Sequence, residues 1–172
     1  MRLLVAVGAV GLLGGLLAGC SAANSPGTAA ASHAPAQSAS AVAAAPPANA
    51  CALVSEADAT TALGTDPGPG TSAEGQHGAS SCSYGQYPSL LIVNLIPTDG
   101  KASYDNLLGD PKTGPTTQVS GVGDAAFFVS KPGTAGFDFR RGDAFVAIVL
   151  VTGGESPVDQ ATVLASELAS RL

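Results

Sequence analysis

The sequence predicts an α+β fold: an antiparallel or mixed sheet of about five strands packed by two to three helices, forming one domain behind a signal peptide and a disordered tether. Three observations predict it. Helix-capping patterns stand near both ends of the stretch beyond residue 50, hairpin connections join several of the strand-like segments between them, and one such segment, Ala144 to Thr152, is apolar on both faces. Hairpins rather than alternating crossovers favour antiparallel pairing and argue against a doubly wound parallel sheet.

Taken in order, residues 1–19 read as a lipoprotein signal peptide. Arg2 supplies a positive start, and Leu3 to Leu17 supply an uncharged core of signal-peptide length, short for a membrane span. Leu17-Ala18-Gly19-Cys20 then closes it as a lipobox, with small residues where a peptidase groove must admit the chain and a thiol for diacylglyceryl attachment. An ordinary secretory signal with a chance cysteine is the competing reading, and either one directs the chain out of the cytoplasm. With Cys20 acylated, the expected partner is the membrane, held by about 0.8 kcal/mol per buried methylene. Residues 20–50 are expected to be the lipidated cysteine and an Ala/Ser/Pro tether. The segment after Cys20 lacks charge and has almost no large side chains, so it cannot bury enough surface to order itself.

Residues 51–172 are long enough to bury a core. The whole chain carries thirteen acidic residues against seven basic, a formal net charge of −6. That balance argues against nucleic acid and against a basic membrane-binding patch. With Cys20 assigned to lipid, Cys51 and Cys82 remain, and in an oxidising compartment a disulfide is the default. Metal binding competes poorly, because two cysteines without a histidine pair make a weak zinc site. No cofactor is expected.

Ser55 with Asp58 resembles a capping box for a helix over Ala57 to Leu63, stopped by Gly64. Asp66 to Ala79 reads as a Gly/Pro-rich loop. Ser80–Tyr87 and Leu90–Ile96 follow as a hairpin around Pro88-Ser89. Asp99 is placed to cap a helix through Leu108, with Gly109 at its end. Thr116–Val119, Ala125–Val129 and Gly136–Arg140 are strand candidates, the last alternating Phe137 and Phe139 with Asp138 and Arg140. Ala144–Thr152 should be a central strand covered on both sides. Ser156, Pro157 and Asp159 open a final helix whose buried stripe is Val158, Ala161, Leu164, Ala165, Leu168 and Leu172.

Candidate chemistry is sparse. The part beyond residue 50 has one histidine, His77, beside Ser80 and Ser81, but Gly78-Ala79-Ser80-Ser81-Cys82 lacks the last glycine of a nucleophile elbow. Gly121-Val122-Gly123-Asp124 precedes a strand rather than a helix, so a turn fixed by Asp124 is expected instead of a phosphate loop. Arg141-Gly142-Asp143 falls where a hairpin turn is needed, which accounts for its glycine and aspartate. The carboxylates are scattered through caps and turns.

Cys51-Ala52-Leu53 before an acidic-capped helix, Cys82-Ser83-Tyr84 in a strand, and Gly121-Val122-Gly123-Asp124 with Ala126 before another strand occur together. This set resembles the uncharacterised lipoprotein domains of actinobacteria, which are similar to extracellular sensor domains of their kinases. The resemblance covers Cys51 to about Leu172 and implies a compact α+β domain with a Cys51–Cys82 bridge in an actinomycete envelope. It implies no activity.

The functional expectation is a membrane-anchored extracytoplasmic lipoprotein, lipid-anchored at Cys20 on the outer face of the cell membrane. Its folded part is expected to bind an unknown envelope ligand or protein, with Asp66 to Ala79 the candidate contact loop. No catalytic or metal residue is assigned, and the ligand-binding residues are unknown. The alternative is an envelope-acting hydrolase with a catalytic residue near His77.

Overall fold

The structure, a computed structural model, describes residues 47–172; Cys20, the leader and nearly all of the tether lie outside the described residues. Four helices are present, α1 (Ala50–Leu53), α2 (Glu56–Leu63), α3 (Gly100–Gly109) and α4 (Val158–Ser170). The strands are β1 (Thr71–Glu74), β2 (Ser80–Gln86), β3 (Ser89–Ile96), β4 (Thr117–Val119), β5 (Ala125–Lys131), β6 (Thr134–Arg141) and β7 (Ala144–Val151). They form one open sheet in the order β1-β2-β3-β7-β6-β5-β4, with every neighbouring pair antiparallel. The fold class stands as α+β, but the sheet has seven strands rather than about five.

β7 occupies the middle of the sheet, as its two apolar faces require. Cross-strand partners share a face, so the register separates the two sides. On the first face, Cys82, Val93, Ile148 and Phe137 form one row and Leu95, Val146, Phe139 and Ala126 another. All eight are buried, packed with α1, α2 and α4 in the main core. The second face is covered only in part. There α3 presses Tyr104 onto Phe127 and Phe145, and Ile96, Leu107, Leu108, Ala125, Val129 and Ala147 pack around them.

Several caps form as the sequence indicates. The Ser55 hydroxyl accepts the Asp58 N–H at 3.2 Å, while the Asp58 carboxylate accepts the Ser55 N–H at 2.8 Å. Gly64 ends α2 in the left-handed region at φ 71°. Two expected caps do not form. Asp99 precedes α3 but makes no side-chain cap: its backbone is left-handed at φ 59° instead of the extended conformation of a capping residue, while the Gly100 N–H donates to the Asp143 carbonyl at 2.7 Å in the β6–β7 turn. Ser156 and Asp159 do not cap α4; the helix starts at Val158 after Pro157, and the Ser156 hydroxyl pairs with that of Ser130 at 2.7 Å.

Three elements arise where none was expected. Asp66 to Ala79 is not one continuous loop: β1 pairs with β2 inside it, and Gln76–Gly78 forms a 3-10 turn. All four β1 residues are exposed, so its strand character leaves no burial pattern to read. Helix α1 also begins before residue 51, inside the stretch expected to be tether. Asn49 caps α1 by accepting the Ala52 N–H at 2.9 Å, and Ala50 is fully buried.

Candidate functional site

Of the residues singled out for chemistry, Cys51, Cys82 and Ser80 are engaged in holding the fold together. Cys51 and Cys82 form a disulfide with Cα atoms 5.0 Å apart, joining α1 to β2. The buried Ser80 hydroxyl accepts the Ala50 N–H at 2.9 Å, so it serves the start of α1. Ser81 lies on the opposite face of β2, in the row of Asn94. His77 is exposed in the 3-10 turn at φ 57°, and its ring makes no hydrogen bond among the described residues. Among those residues no group of three or more His, Cys, Asp or Glu side chains converges on a common point.

The glycine turn and the tripeptide fasten to each other. Asp124 accepts the Gly142 N–H at 2.8 Å, its own N–H donates to the Arg140 carbonyl at 2.8 Å, and its carboxylate pairs with the Arg140 guanidinium at 3.3 Å. Gly142, at φ 57°, takes the first central position of the two-residue β6–β7 turn, where glycine carries no Cβ penalty. Arg141 reaches across to donate to the Ala169 carbonyl in α4. Arg141-Gly142-Asp143 is therefore a braced turn.

The feature that packing does not absorb lies on the second sheet face, where the cover of α3 gives out. Asp138 stands there between its cross-strand partners Phe127 and Ala147. Only 7% of its surface is exposed, and its carboxyl makes no hydrogen bond among the described residues. No fully enclosed side-chain oxygen or nitrogen among those residues lacks a partner, so the carboxyl keeps a narrow contact with solvent. Burial pushes it up to about 7, because removing water penalises the charged form. The cations on its own strand and on α3 are engaged elsewhere: Arg140 with Asp124, and Lys101 with Asp105.

Two residues before it on the same strand and face is Gly136, flanked by Val149 on β7 and Val129 on β5. A Cβ built on Gly136 would meet nothing within 4 Å except the Val129 carbonyl oxygen at 3.9 Å. The same row continues beyond β7 to Ile92 on β3, and the last row carries Leu90, Val151 and Thr134. These side chains are half-buried. Together they make an apolar strip across β3, β7 and β6, with a shallow pit over Gly136 and a carboxyl at the pit's inner edge. Sequence reasoning missed the site because Asp138 alternates with Phe137 and Phe139 as a solvent-facing residue would.

A second concavity, of about 320 Å³, follows the α2–α4 seam, where Ala62, Val163 and Leu164 are edged by Asp58, Asp159 and Glu167. Asp58 there is bound bidentately by Arg171 at 2.5 and 2.9 Å, which holds its carboxyl well below the usual carboxylate range. The seam has no comparable unpartnered group.

Among the described residues no helix is long and apolar enough to cross a membrane. No protein-family model, curated protein or solved structure matches the chain.

Proposed function

We propose that this chain is a membrane-anchored extracytoplasmic lipoprotein whose folded part is a binding module of the cell envelope. In this reading Cys20 carries the lipid, the following residues up to about Pro47 act as the tether, and the open half of the second sheet face receives the ligand. The observation that carries the binding reading is the pairing of Asp138 with Gly136: a nearly buried carboxyl without a partner beside an unfilled pit in an apolar strip. Buried polar groups are normally hydrogen-bonded, and binding sites combine apolar walls with a few placed polar groups. The Cys51–Cys82 disulfide is in keeping with an oxidising compartment. No observation favours a hydrolase near His77, whose exposed ring has no base, acid or nucleophile bonded to it among the described residues.

The anchor and the binding face are tested separately. Cys20→Ala should move the protein from the membrane fraction to the soluble extracytoplasmic fraction, and retention in the membrane would refute the anchor. Native mass spectrometry of the protein extracted from its own envelope should show an added mass that Gly136→Val removes. The same mass for both proteins would refute binding at this face.

A further inference from the structure

We infer that the open half of the second sheet face binds an amphiphile with a cationic ammonium head, the head donating to the Asp138 carboxylate and the alkyl portion lying over Gly136 along Val149, Ile92 and Leu90. This deepens the binding reading and rests on it. Gly136 is the first support. Glycine inside a strand weakens it, and its usual reasons are a bulge, a tight bend, or close approach of a ligand or another backbone. At some other glycines the steric reason is plain: a Cβ on Gly70 would lie 2.6 Å from the Tyr84 ring, and one on Gly123 would lie 2.3 Å from the Arg140 carbonyl oxygen. Gly136 has no such neighbour, no positive φ, and unbroken antiparallel pairing on both sides. Close approach of a ligand is the reason that remains.

Asp138 is the second support, and it selects the head group. A desolvated carboxylate gains most from a hydrogen bond in which both partners are charged, which an ammonium supplies, whereas an alcohol brings no opposite charge and a carboxylate at pH 8 has no proton to donate. The elements around it leave that role open. On the same face β3 presents Leu90, Ile92, Asn94 and Ile96, and β7 presents Phe145, Ala147, Val149 and Val151, so neither offers a charge. From β5 only Lys131 is charged, at the far row opposite Thr134. On β6 itself Arg140 pairs with Asp124, and on α3 Lys101 pairs with Asp105, while the Tyr104 hydroxyl faces Gln118 at 3.4 Å. From the Asp138 row to the Thr134 row the strip runs about 13 Å along the strands, room for a medium-length alkyl chain.

The test titrates decylammonium, decanol and decanoate, below their aggregation limits, into the full chain carrying Cys20→Ser, which removes acylation from the measurement. At pH 8 decylammonium should bind at least about tenfold more tightly than decanol, the equivalent of about 1.4 kcal/mol for one charge-assisted bond. That preference should fade between pH 8 and pH 5 as Asp138 takes up its proton. Asp138→Asn should bind decylammonium no better than decanol, and Gly136→Val should lose all three ligands, with far-UV circular dichroism confirming that both variants are folded. Equal affinity for the three ligands, all lost in Gly136→Val, overturns the ammonium assignment and leaves the binding face intact. No binding by any of them, or binding that Gly136→Val does not change, overturns the ammonium site and counts against the face itself.

Discussion

At the scale of single residues, Asp138 places an acid where the sheet would otherwise take an apolar side chain, and its energetic effect has a definite sign. Its folded-state value is pushed up to about 7 from the ordinary 3.8 by burial. Between those values the native state keeps a proton that the unfolded chain has released, so stability falls as pH rises through the window and is level above it. Three pH units correspond to on the order of 4 kcal/mol. Asp138→Asn keeps the shape and removes the ionisation. The variant should therefore outlast the parent in urea at pH 8 by several kcal/mol, the gap closing near pH 4. Equal midpoints at pH 8 would mean that the carboxyl is not desolvated. A residue that lowers stability at neutral pH in this way is of the kind retained for binding rather than for packing.

At the scale of elements, legibility followed burial. β7 could be read because both its faces are apolar, and α2 because Ser55, Asp58 and Gly64 mark its two ends. β1 could not, since Thr71, Ser72, Ala73 and Glu74 are all exposed on an edge and nothing in their alternation records the pairing with β2. α1 is a single turn whose cap, Asn49, stands in tether-like sequence. Asp138 was misleading for a different reason: alternation gives the side of the strand, but only the register with Phe127 and the placing of α3 reveal that this side is covered. That cover depends on Tyr104, whose ring centre lies 5.2 Å from that of Phe127 and 6.5 Å from that of Phe145, both edge-on. Tyr104→Ala should cost about 3–5 kcal/mol, as large aromatic truncations do. It should also admit water to Asp138 and lower the carboxyl's midpoint, which carbon-detected NMR titration would follow. A midpoint unmoved by the truncation would show that α3 is not what dries the carboxyl.

At the scale of the whole molecule, two carboxylates on opposite sides of the sheet shape the pH response in opposite senses. Arg171 donates to the Leu53 carbonyl at 2.9 Å and grips Asp58, so the end of α4 is fastened to α1 and α2 across 118 and 113 residues of sequence. The hydrogen bond from Arg171 is the main cause that keeps Asp58 below its ordinary range. Its contribution is present above about pH 4 and is lost as acid protonates the native carboxylate. Asp138 acts the other way, favouring the fold as pH falls from about 7 towards 4. The surplus of thirteen acidic over seven basic residues adds mutual repulsion at neutral pH, in the same sense as Asp138. Stability should therefore peak at about pH 4–5 instead of near neutrality, with an alkaline limb set largely by Asp138 and an acid limb set partly by Asp58. Urea denaturation from pH 2.5 to 9 checks this directly, and two variants separate the causes. Asp138→Asn should flatten the alkaline limb and leave the acid limb unchanged. Arg171→Met should lower the neutral plateau by about 1.5–3 kcal/mol, the worth of hydrogen bonds to a charged group, and make the acid limb shallower. An alkaline limb that survives Asp138→Asn at full height would show that the charge surplus and not the buried acid governs the response, and a peak at pH 7 in the parent would show that neither does.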